Sequence, residues 1–463
     1  MDSKQIDILL VNKEASIKEA MQAIDRGSLG IAFIVDRNKK LFGVVTDGDV
    51  RRAVFSGVNI KKPIKVITNK KPIVIEGRIS QKEMLNLKKR KDIIFISVND
   101  KNNFQHVDKK PRLIRSGVKR VLITGGAGYL GSVLSRKLIK AGYRVRVLDN
   151  LTYGDEGIKE LYQNKNFEFF KGDVRNISQI MHAVRGMDAV IHLSAIVGDA
   201  ASQIDSKETI EINYLSAKAV AEACKFNQIN KFLFASTCSV YGANKSPKEL
   251  LNENSPLHPV SLYAETKLTS EEGILSLADE NFSPTIFRFA TLFGVSPRMR
   301  FDLVVNVMTA NAVTENKVRV FGGSQWRPNL DVSDAAEACI TWVASPIEKT
   351  GGQVFNVGAN SHNIQIVNIA GMIKKIMPEI TIEHNTTSID QRDYNVSFDK
   401  ISMVLGFKPQ KKIEHGIREI KKILENKTIK NFNSHQYHNY GFLAQSKHSA
   451  DNAHSSPTQH YKS

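Results

Sequence analysis

Tyr263 and Lys267 stand four residues apart in the run Tyr-Ala-Glu-Thr-Lys. Residues at that spacing share one face of a helix, so both side chains can reach one site. A free tyrosine has a pKa of about 10 and is a poor base at neutral pH. A neighbouring ammonium favours the phenolate, which can then take a proton from a hydroxyl. Upstream, the apolar run FLFAS ends in the hydroxyl-rich Ser236, Thr237, Cys238 and Ser239. Thr237 can hydrogen-bond the oxygen that loses its proton. Taken alone, Y-x-x-x-K is a trivial pattern that most often marks a helix surface. Its weight here comes from what precedes it.

What precedes it is KRVLITGGAGYLGSVLSRKLIKAGYRVRVLDN. A β-rich run ends at Thr124, and Gly125, Gly128 and Gly131 follow, with Tyr129 and Leu130 opening an amphipathic helix. A second β-rich run ends at Asp149 and Asn150. Glycines at these places permit a tight turn and close approach of backbone to a pyrophosphate, and the helix start supplies free N–H groups. The spacing is G-x-x-G-x-x-G and not G-x-G-x-x-G. Strand, helix, second strand and acid nevertheless fall in register for a dinucleotide. A carboxylate at Asp149 can accept from an adenosine ribose and would repel a 2′-phosphate, so NAD is favoured over NADP. Oxidised nicotinamide would favour the Tyr263 phenolate further and take hydride from the same carbon.

These residues need a frame. From Lys119 to about Lys427, apolar strands such as RVLITG, VRVLDN, AVIHLSA, KFLFAS and TIFRFA alternate with amphipathic helices. That alternation predicts an α/β fold with a parallel sheet covered on both faces. Before it, residues 1–112 contain IAFIVDRNKKLFGVVTDGDV, which reads strand, polar turn, strand, then a helix from near Asp49. A weaker second copy runs through VITNKKPIVIEG, a helical QKEMLNLKK stretch and DIIFISVND. Residues 113–118 form a basic linker. Residues 428–463 are polar, short of aliphatics and without periodicity, and are expected to be disordered.

Composition narrows the function. The chain has 463 residues, 41% hydrophobic and 24% charged, as expected of a soluble globular protein. No apolar run reaches the ~20 residues of a membrane span. The start lacks a signal-peptide pattern, so the expected place is the cytoplasm with no membrane partner. Cys224, Cys238 and Cys339 are too scattered for a disulfide framework or structural zinc. The histidines of the tail are irregularly spaced, and no metal site is expected. The net charge is +18, and about two-thirds of the excess precedes residue 117 in scattered lysines without interleaved aromatics, so no nucleic-acid module is expected.

Together the motifs resemble the extended short-chain dehydrogenase/reductase family, the NAD-dependent nucleotide-sugar epimerases and dehydratases, over about residues 118–425. They are TGGAGYLGS, LDN, GDV at 172–174, HLSA at 192–195, Asn213, STCSVYG, YAETK, RFATLFG and QWRPNLDVSDAA. The resemblance implies a Rossmann-type doubly wound parallel sheet with a smaller C-terminal substrate-binding part. It implies that Asp173 and Val174 contact the adenine, that Leu193, Ser194 and Ala195 line the cofactor with Ser236, and that Asn213 supports the site. Lys267 would also hold the nicotinamide ribose. Arg327 and Arg392 match positions that hold a diphosphate, where guanidinium groups donate in paired, planar geometry. A homodimer through the Tyr263 helix and its neighbour is expected.

Departures from the family pattern direct the reaction. Dehydratases carry Asp-Glu after the catalytic Thr, and sugar-acid decarboxylases carry Glu where Ser239 stands; here the pair is Cys238 and Ser239. Neither is a general acid suited to removing water. Epimerisation through oxidation at C4 of a nucleotide-diphosphate sugar, or net C4 oxidation, needs only Thr237, Tyr263, Lys267 and NAD. Thr291 stands where many relatives have Asn, and Asp331 where His is usual. RMRFDLVVN followed by QWRP is similar to a subgroup that modifies surface-polysaccharide sugars, heptose C4 oxidation included.

Residues 1–112 resemble a CBS-domain pair on the match of GVVTDGDVRR, which makes an α+β CBS-like domain. Such pairs bind adenine nucleotides, and Thr46 and Asp49 match the positions that touch ribose and phosphate. The second copy is degenerate, and a dimerising or packing module is the alternative. A third reading makes the chain a nucleotide sensor whose reductase part is a scaffold; the intact Thr237, Tyr263 and Lys267 set argues against it.

Overall fold

A computed structural model describes residues 9–27, 31–46, 49–50, 53, 57–70, 74–76, 96–98, 104–107, 118–243, 250–385 and 392–454. The chain divides into two compact units, Met1–Gly117 and Val118–Ser463.

In the first unit, β1 (Leu10–Asn12), helix α1 (Ile17–Gly27), β2 (Ile31–Val35) and β3 (Leu41–Thr46) build a three-stranded sheet in the order β1-β2-β3. β1 runs parallel to β2, and β2 pairs antiparallel with β3. The expected hairpin is therefore present, and Asp36 caps its turn by accepting the N–H groups of Asn38 and Lys40. β4 (Val74–Glu76), β5 (Ile96–Val98) and β6 (Phe104–Val107) repeat the same order and directions. The helical QKEMLNLKK stretch lies outside the described residues, as does the linker except Val118. Thr46 and Asp49 are turned on each other. The Thr46 hydroxyl and N–H donate to the Asp49 carboxylate, and the Asp49 N–H donates to Thr46 Oγ1, which caps the helix that begins there.

The second unit opens with β7 (Arg120–Thr124), α2 (Tyr129–Lys140), β8 (Arg144–Asp149) and β9 (Phe167–Lys171), then α3 (Ile177–Val184) and β10 (Ala189–His192). α4 (Ser216–Phe226), β11 (Lys231–Thr237), β12 (Leu250–Leu251), α5 (Leu262–Leu275) and β13 (Thr285–Phe289) follow. The remainder holds β14 (Thr291–Phe293), α6 (Val304–Glu315), β15 (Lys317–Phe321), β16 (Trp326–Asp331), α7 (Val332–Ala344), β17 (Val354–Val357) and α8 (Ile413–Glu425).

Seven strands form one sheet in the order β17-β13-β11-β10-β7-β8-β9, and every neighbouring pair is parallel. The order reverses between β7 and β10. Ligands of such sheets bind at the carboxyl ends of the strands beside that reversal. Strand β10 is buried along its whole length, as a strand covered by helices on both faces must be. α2 stops where Gly142 enters the left-handed region at φ +91°; its N–H and that of Tyr143 return to Ile139 O and Leu138 O. Among the described residues no helix is long and apolar enough to cross a membrane.

The expectation of disorder covers residues 428–463; residues 428–454 correct it, and the rest lies outside the described residues. Phe432 is buried, with its ring 5.5 Å from that of Phe301, and Tyr437 packs on Phe301 from another side at 5.8 Å. The chain then forms a helix, α9 (Asn439–His454). A composition poor in aliphatics hid two aromatic anchors that dock onto Phe301.

Candidate active site

The carboxyl ends of β7, β8, β10, β11 and β13 open on one cavity of about 880 Å³. At one end lie Asp149, Asn150, Asp173 and Val174, then Gly125, Gly128, Tyr129, Leu130 and Gly131, with Leu193, Ser194 and Ala195 opposite. At the other lie Ser236, Thr237, Tyr263, Lys267, Thr291, Arg327 and Arg392. The sequence-predicted residues of the second unit therefore converge on one surface, with one exception.

The exception is Asn213, expected among the cofactor contacts. It stands behind the wall in a single π-helical turn, Glu211–Leu215. Its Oδ1 accepts the Ile196 N–H, and its Nδ2 donates to Ile196 O and to Thr266 Oγ1. With both amide atoms occupied, Asn213 ties the loop after β10 to the Tyr263 helix.

The glycine loop fits a dinucleotide on steric grounds. Gly125 has φ +71°, and a Cβ there would lie 2.7 Å from Ser194 N. At Gly131 a Cβ would lie 2.5 Å from Gly125 O and 2.6 Å from Gly126 Cα, all backbone that cannot move aside. One Asp149 oxygen accepts the Ala127 N–H at 3.0 Å and the other the Leu151 N–H at 2.8 Å. Burial raises the Asp149 pKa, and these two N–H groups pull it back. The carboxylate thus holds the loop in shape and keeps lone pairs for a ribose. Gly131→Ala is expected to lower the NAD that purifies with the protein at least ~10-fold, since 1.4 kcal/mol of strain suffices for that. Absorbance of the nucleotide released on denaturation measures it.

Around the reacting end, Tyr263 is buried on α5, and Ser261 caps that helix by accepting the Ala264 N–H. Burial pushes the phenol up to about 12, while Arg300 and a hydrogen bond from Thr237 pull it down and Asp199 pushes it up. Arg300, which the sequence did not single out, is thus the foremost cation acting on Tyr263. Burial lowers Lys267 to about 7, held up by Glu271 one helical turn further on, and its ammonium lies 4.3 Å from the Phe234 ring. Glu271 is itself buried, paired with Arg288 at 2.7 Å, and accepts from the Ser236 hydroxyl. Thr237 also accepts the Ser239 N–H, which shapes the turn after β11.

Arg327 donates to Trp326 O and lies over the Tyr394 ring at 5.4 Å, whereas Arg392 pairs with Asp199 at 3.0 Å. A second residue missed by the sequence is Arg298. It is buried in the cavity wall over the Tyr153 ring at 4.3 Å, and its Nε and Nη2 have no hydrogen-bond partner among the described residues. Burial and the neighbouring Arg300 bring its pKa down to about 10. A buried guanidinium with spare donors suits an anion. Both arginines sit in an irregular segment, GVSPRMRFD, where no periodicity marks a charge as inward-facing.

Cys238 is turned away from the cavity, its Sγ 3.3 Å from Arg288 O, and burial raises its thiol pKa. Ser239 lines the cavity with its hydroxyl 3.5 Å from that of Tyr394. Asp331 is not in the cavity. It caps α7 by accepting the Ser333 N–H at 2.8 Å, and burial raises it to about 6 against the pull of Lys411. An acid with a raised folded pKa contributes stability that is complete below its unfolded pKa and is lost as pH rises through the folded one. Between pH 4 and pH 7 the protein should therefore lose on the order of 2 kcal/mol at this residue. Asp331→Asn retains the cap and should remove that part of the slope in urea unfolding measured at several pH values.

The sequence model of the NAD-dependent epimerase/dehydratase family matches residues 121–358, and that of the CBS domain matches residues 3–56. An uncharacterized UDP-glucose epimerase of Bacillus subtilis is 26% identical over 313 residues, which cover 64% of this chain and 95% of the relative. A UDP-N-acetyl-alpha-D-glucosaminuronate decarboxylase of Bacillus cytotoxicus is 28% identical over 319 residues, covering 65% and 96%. Among solved structures, the UDP-glucose 4-epimerase of Thermotoga maritima with UDP-glucose superposes with a TM-score of 0.60 at 25% identity, covering 67% of this chain and 99% of that one. The UDP-glucuronic acid 4-epimerase of Bacillus cereus, in complex with UDP-glucuronic acid and NAD, gives 0.58 at 25% identity, covering 66% and 99%. With the seven-stranded sheet, the glycine loop and the tyrosine–lysine pair in place, these matches establish that the chain, behind an N-terminal CBS domain, is an enzyme of the NAD-dependent epimerase/dehydratase family.

Proposed function

We propose that this enzyme inverts C4 of a nucleotide-diphosphate sugar, oxidising it to the 4-keto sugar and reducing it again from the other face. The observation that carries this reading is the content of the reacting end of the cavity. Thr237, Tyr263 and Lys267 converge there, while Cys238, at the place of a dehydratase acid, is buried with its thiol facing backbone. Oxidation and return at C4 need the first three groups, whereas loss of water or carbon dioxide needs a further acid or base.

The glycine loop would hold the NAD diphosphate, Asp149 and Asn150 the adenosine ribose, Asp173 and Val174 the adenine, and Lys267 the nicotinamide ribose. Bound NAD supplies a hydride acceptor and donor at C4. Tyr263 takes the C4 hydroxyl proton and later returns it, and Thr237 keeps that oxygen within reach. Arg300 favours the phenolate by charge. Arg327, Arg392 and Arg298 are the cations available to the sugar nucleotide's diphosphate. The cavity volume lies within the range of about 300–1,000 Å³ common for small-molecule sites.

We place the enzyme in nucleotide-sugar or surface-polysaccharide biosynthesis in the cytoplasm, as a homodimer. Support for the dimer is the exposure of Ile210 and Leu215 beside α4, next to the Tyr263 helix. An adenine nucleotide is the ligand proposed for the CBS part. The test is incubation with a panel of nucleotide sugars, following product by NMR and NADH at 340 nm. C4 inversion without NADH accumulation supports the proposal. Stoichiometric NADH with a 4-keto product makes it a C4 dehydrogenase instead. A Tyr263→Phe protein with full activity overturns both.

A further inference from the structure

The segment after Lys427 reaches into the cavity. Asn439, Tyr440 and Leu443 of α9 are part of its lining. Asn439 is only 4% exposed, and each of its groups but one is committed. Its N–H donates to Asp302 Oδ2 at 3.1 Å, and its Nδ2 donates to Val197 O at 3.2 Å. Its Oδ1 is buried with no hydrogen-bond partner among the described residues. A buried carbonyl oxygen without a donor costs free energy unless something supplies one. The arrangement is held on both sides. Before it, Phe432 and Tyr437 clasp Phe301, whose N–H donates to Tyr437 O. After it, the Phe442 ring lies 5.3 Å from that of Tyr153, and Lys447 pairs with Asp205 at 2.9 Å.

The two anchors of Asn439 identify which end of the cavity it serves. Asp302 is the ion-pair partner of Arg300, the foremost cation acting on the Tyr263 phenol. Val197 opens the loop that ends in Asp199, the carboxylate that acts on the same phenol. Asn439 is thus anchored beside the reacting end, where Asp199 also accepts from Ser261 and pairs with Arg392. A group there that can only accept suits the hydroxyls that crowd a sugar ring.

We propose that Asn439 is a substrate-binding residue whose Oδ1 accepts from a hydroxyl of the sugar, and that the segment from Thr428 to Lys447 is a wall of the sugar pocket. This rests on the reading of the chain as a nucleotide-sugar enzyme. The preceding aromatic clasp places the residue, and the committed Nδ2 fixes which face of the amide meets the ligand.

The test is calorimetry on the full chain with UDP-glucose, dTDP-glucose and GDP-mannose, each beside its bare nucleoside diphosphate, with NAD content recorded. Wild type should bind one sugar form more tightly than its bare nucleotide. Asn439→Ala should weaken that sugar form about tenfold, the effect of one buried hydrogen bond, and leave the bare nucleotide and the NAD content unchanged. A chain ending at His438 retains Phe432 and Tyr437, so it should fold and show the same selective loss. Equal weakening of sugar and bare nucleotide, loss of NAD, or an unchanged preference for the sugar would overturn the assignment. If the wild type binds no nucleotide sugar, the functional reading beneath it falls as well, and the two failures are told apart by the wild-type titration.

Discussion

Tyr263→Phe should yield a protein with near-normal melting temperature and with turnover reduced by about 10²–10⁴, the usual worth of general acid–base catalysis. The variant leaves the ring in place and removes one hydroxyl whose bond to Thr237 is part of the site and not of the core. In the proposed reaction turnover needs the phenolate, and burial makes that form scarce by pushing the phenol to about 12. Arg300 and Thr237 act against burial. The rate of the wild type should accordingly rise with pH through the neutral range, and the residual rate of the variant should lose that rise. NMR of the sugar nucleotide over a pH series measures both. A variant that keeps the wild-type pH profile would remove Tyr263 from the proton path.

Arg288→Met should cost about 3–5 kcal/mol of stability, because it leaves the Glu271 carboxylate buried without its cation. Both side chains are almost wholly buried, with two guanidinium nitrogens on the carboxylate and the third donating to Tyr241. The midpoint of urea unfolding should fall with little change in its slope. Pairing the change with Glu271→Gln should recover much of the loss, since the uncompensated charge is then gone. The damage should also reach the chemistry. Glu271 is what holds Lys267 up toward its charged form, so the Glu271→Gln partner leaves the lysine with less positive charge at neutral pH.

Features written in local periodicity were legible in the sequence. The strand, glycine turn and helix from Arg120 to Lys140 are set by neighbours in the chain, as is the four-residue spacing of Tyr263 and Lys267. The departure at Cys238 was legible too, because one residue type settles whether an acid is present. Contacts that only folding creates were not. Arg298 and Arg300 look like surface cations in an irregular run, and only the closed cavity turns them inward. Asn213 was assigned to the site, yet its work is done from behind the wall, through Ile196 and Thr266, which no spacing rule connects. The segment after Lys427 was misread because average composition weighs aliphatic content, whereas Phe432, Tyr437 and Phe442 dock singly onto surfaces already made.

The helix after the glycine loop is fastened to the C-terminal part of the unit through Tyr129 and Ser132. The Tyr129 hydroxyl, at the first turn of α2, donates to Gly294 O at 2.6 Å and accepts from Asn306 Nδ2, and Ser132 and Ser296 share a hydrogen bond beside it. Recombination between relatives meets this seam. A chimera that kept this nucleotide-binding half and imported a new sugar-binding part would have to import Gly294, Ser296 and Asn306 in matching form, or bury a tyrosine hydroxyl with nothing to bond. The seam therefore limits which halves can be exchanged, and new sugar preferences are reached more readily by single changes in the pocket wall than by swapping the part that carries it.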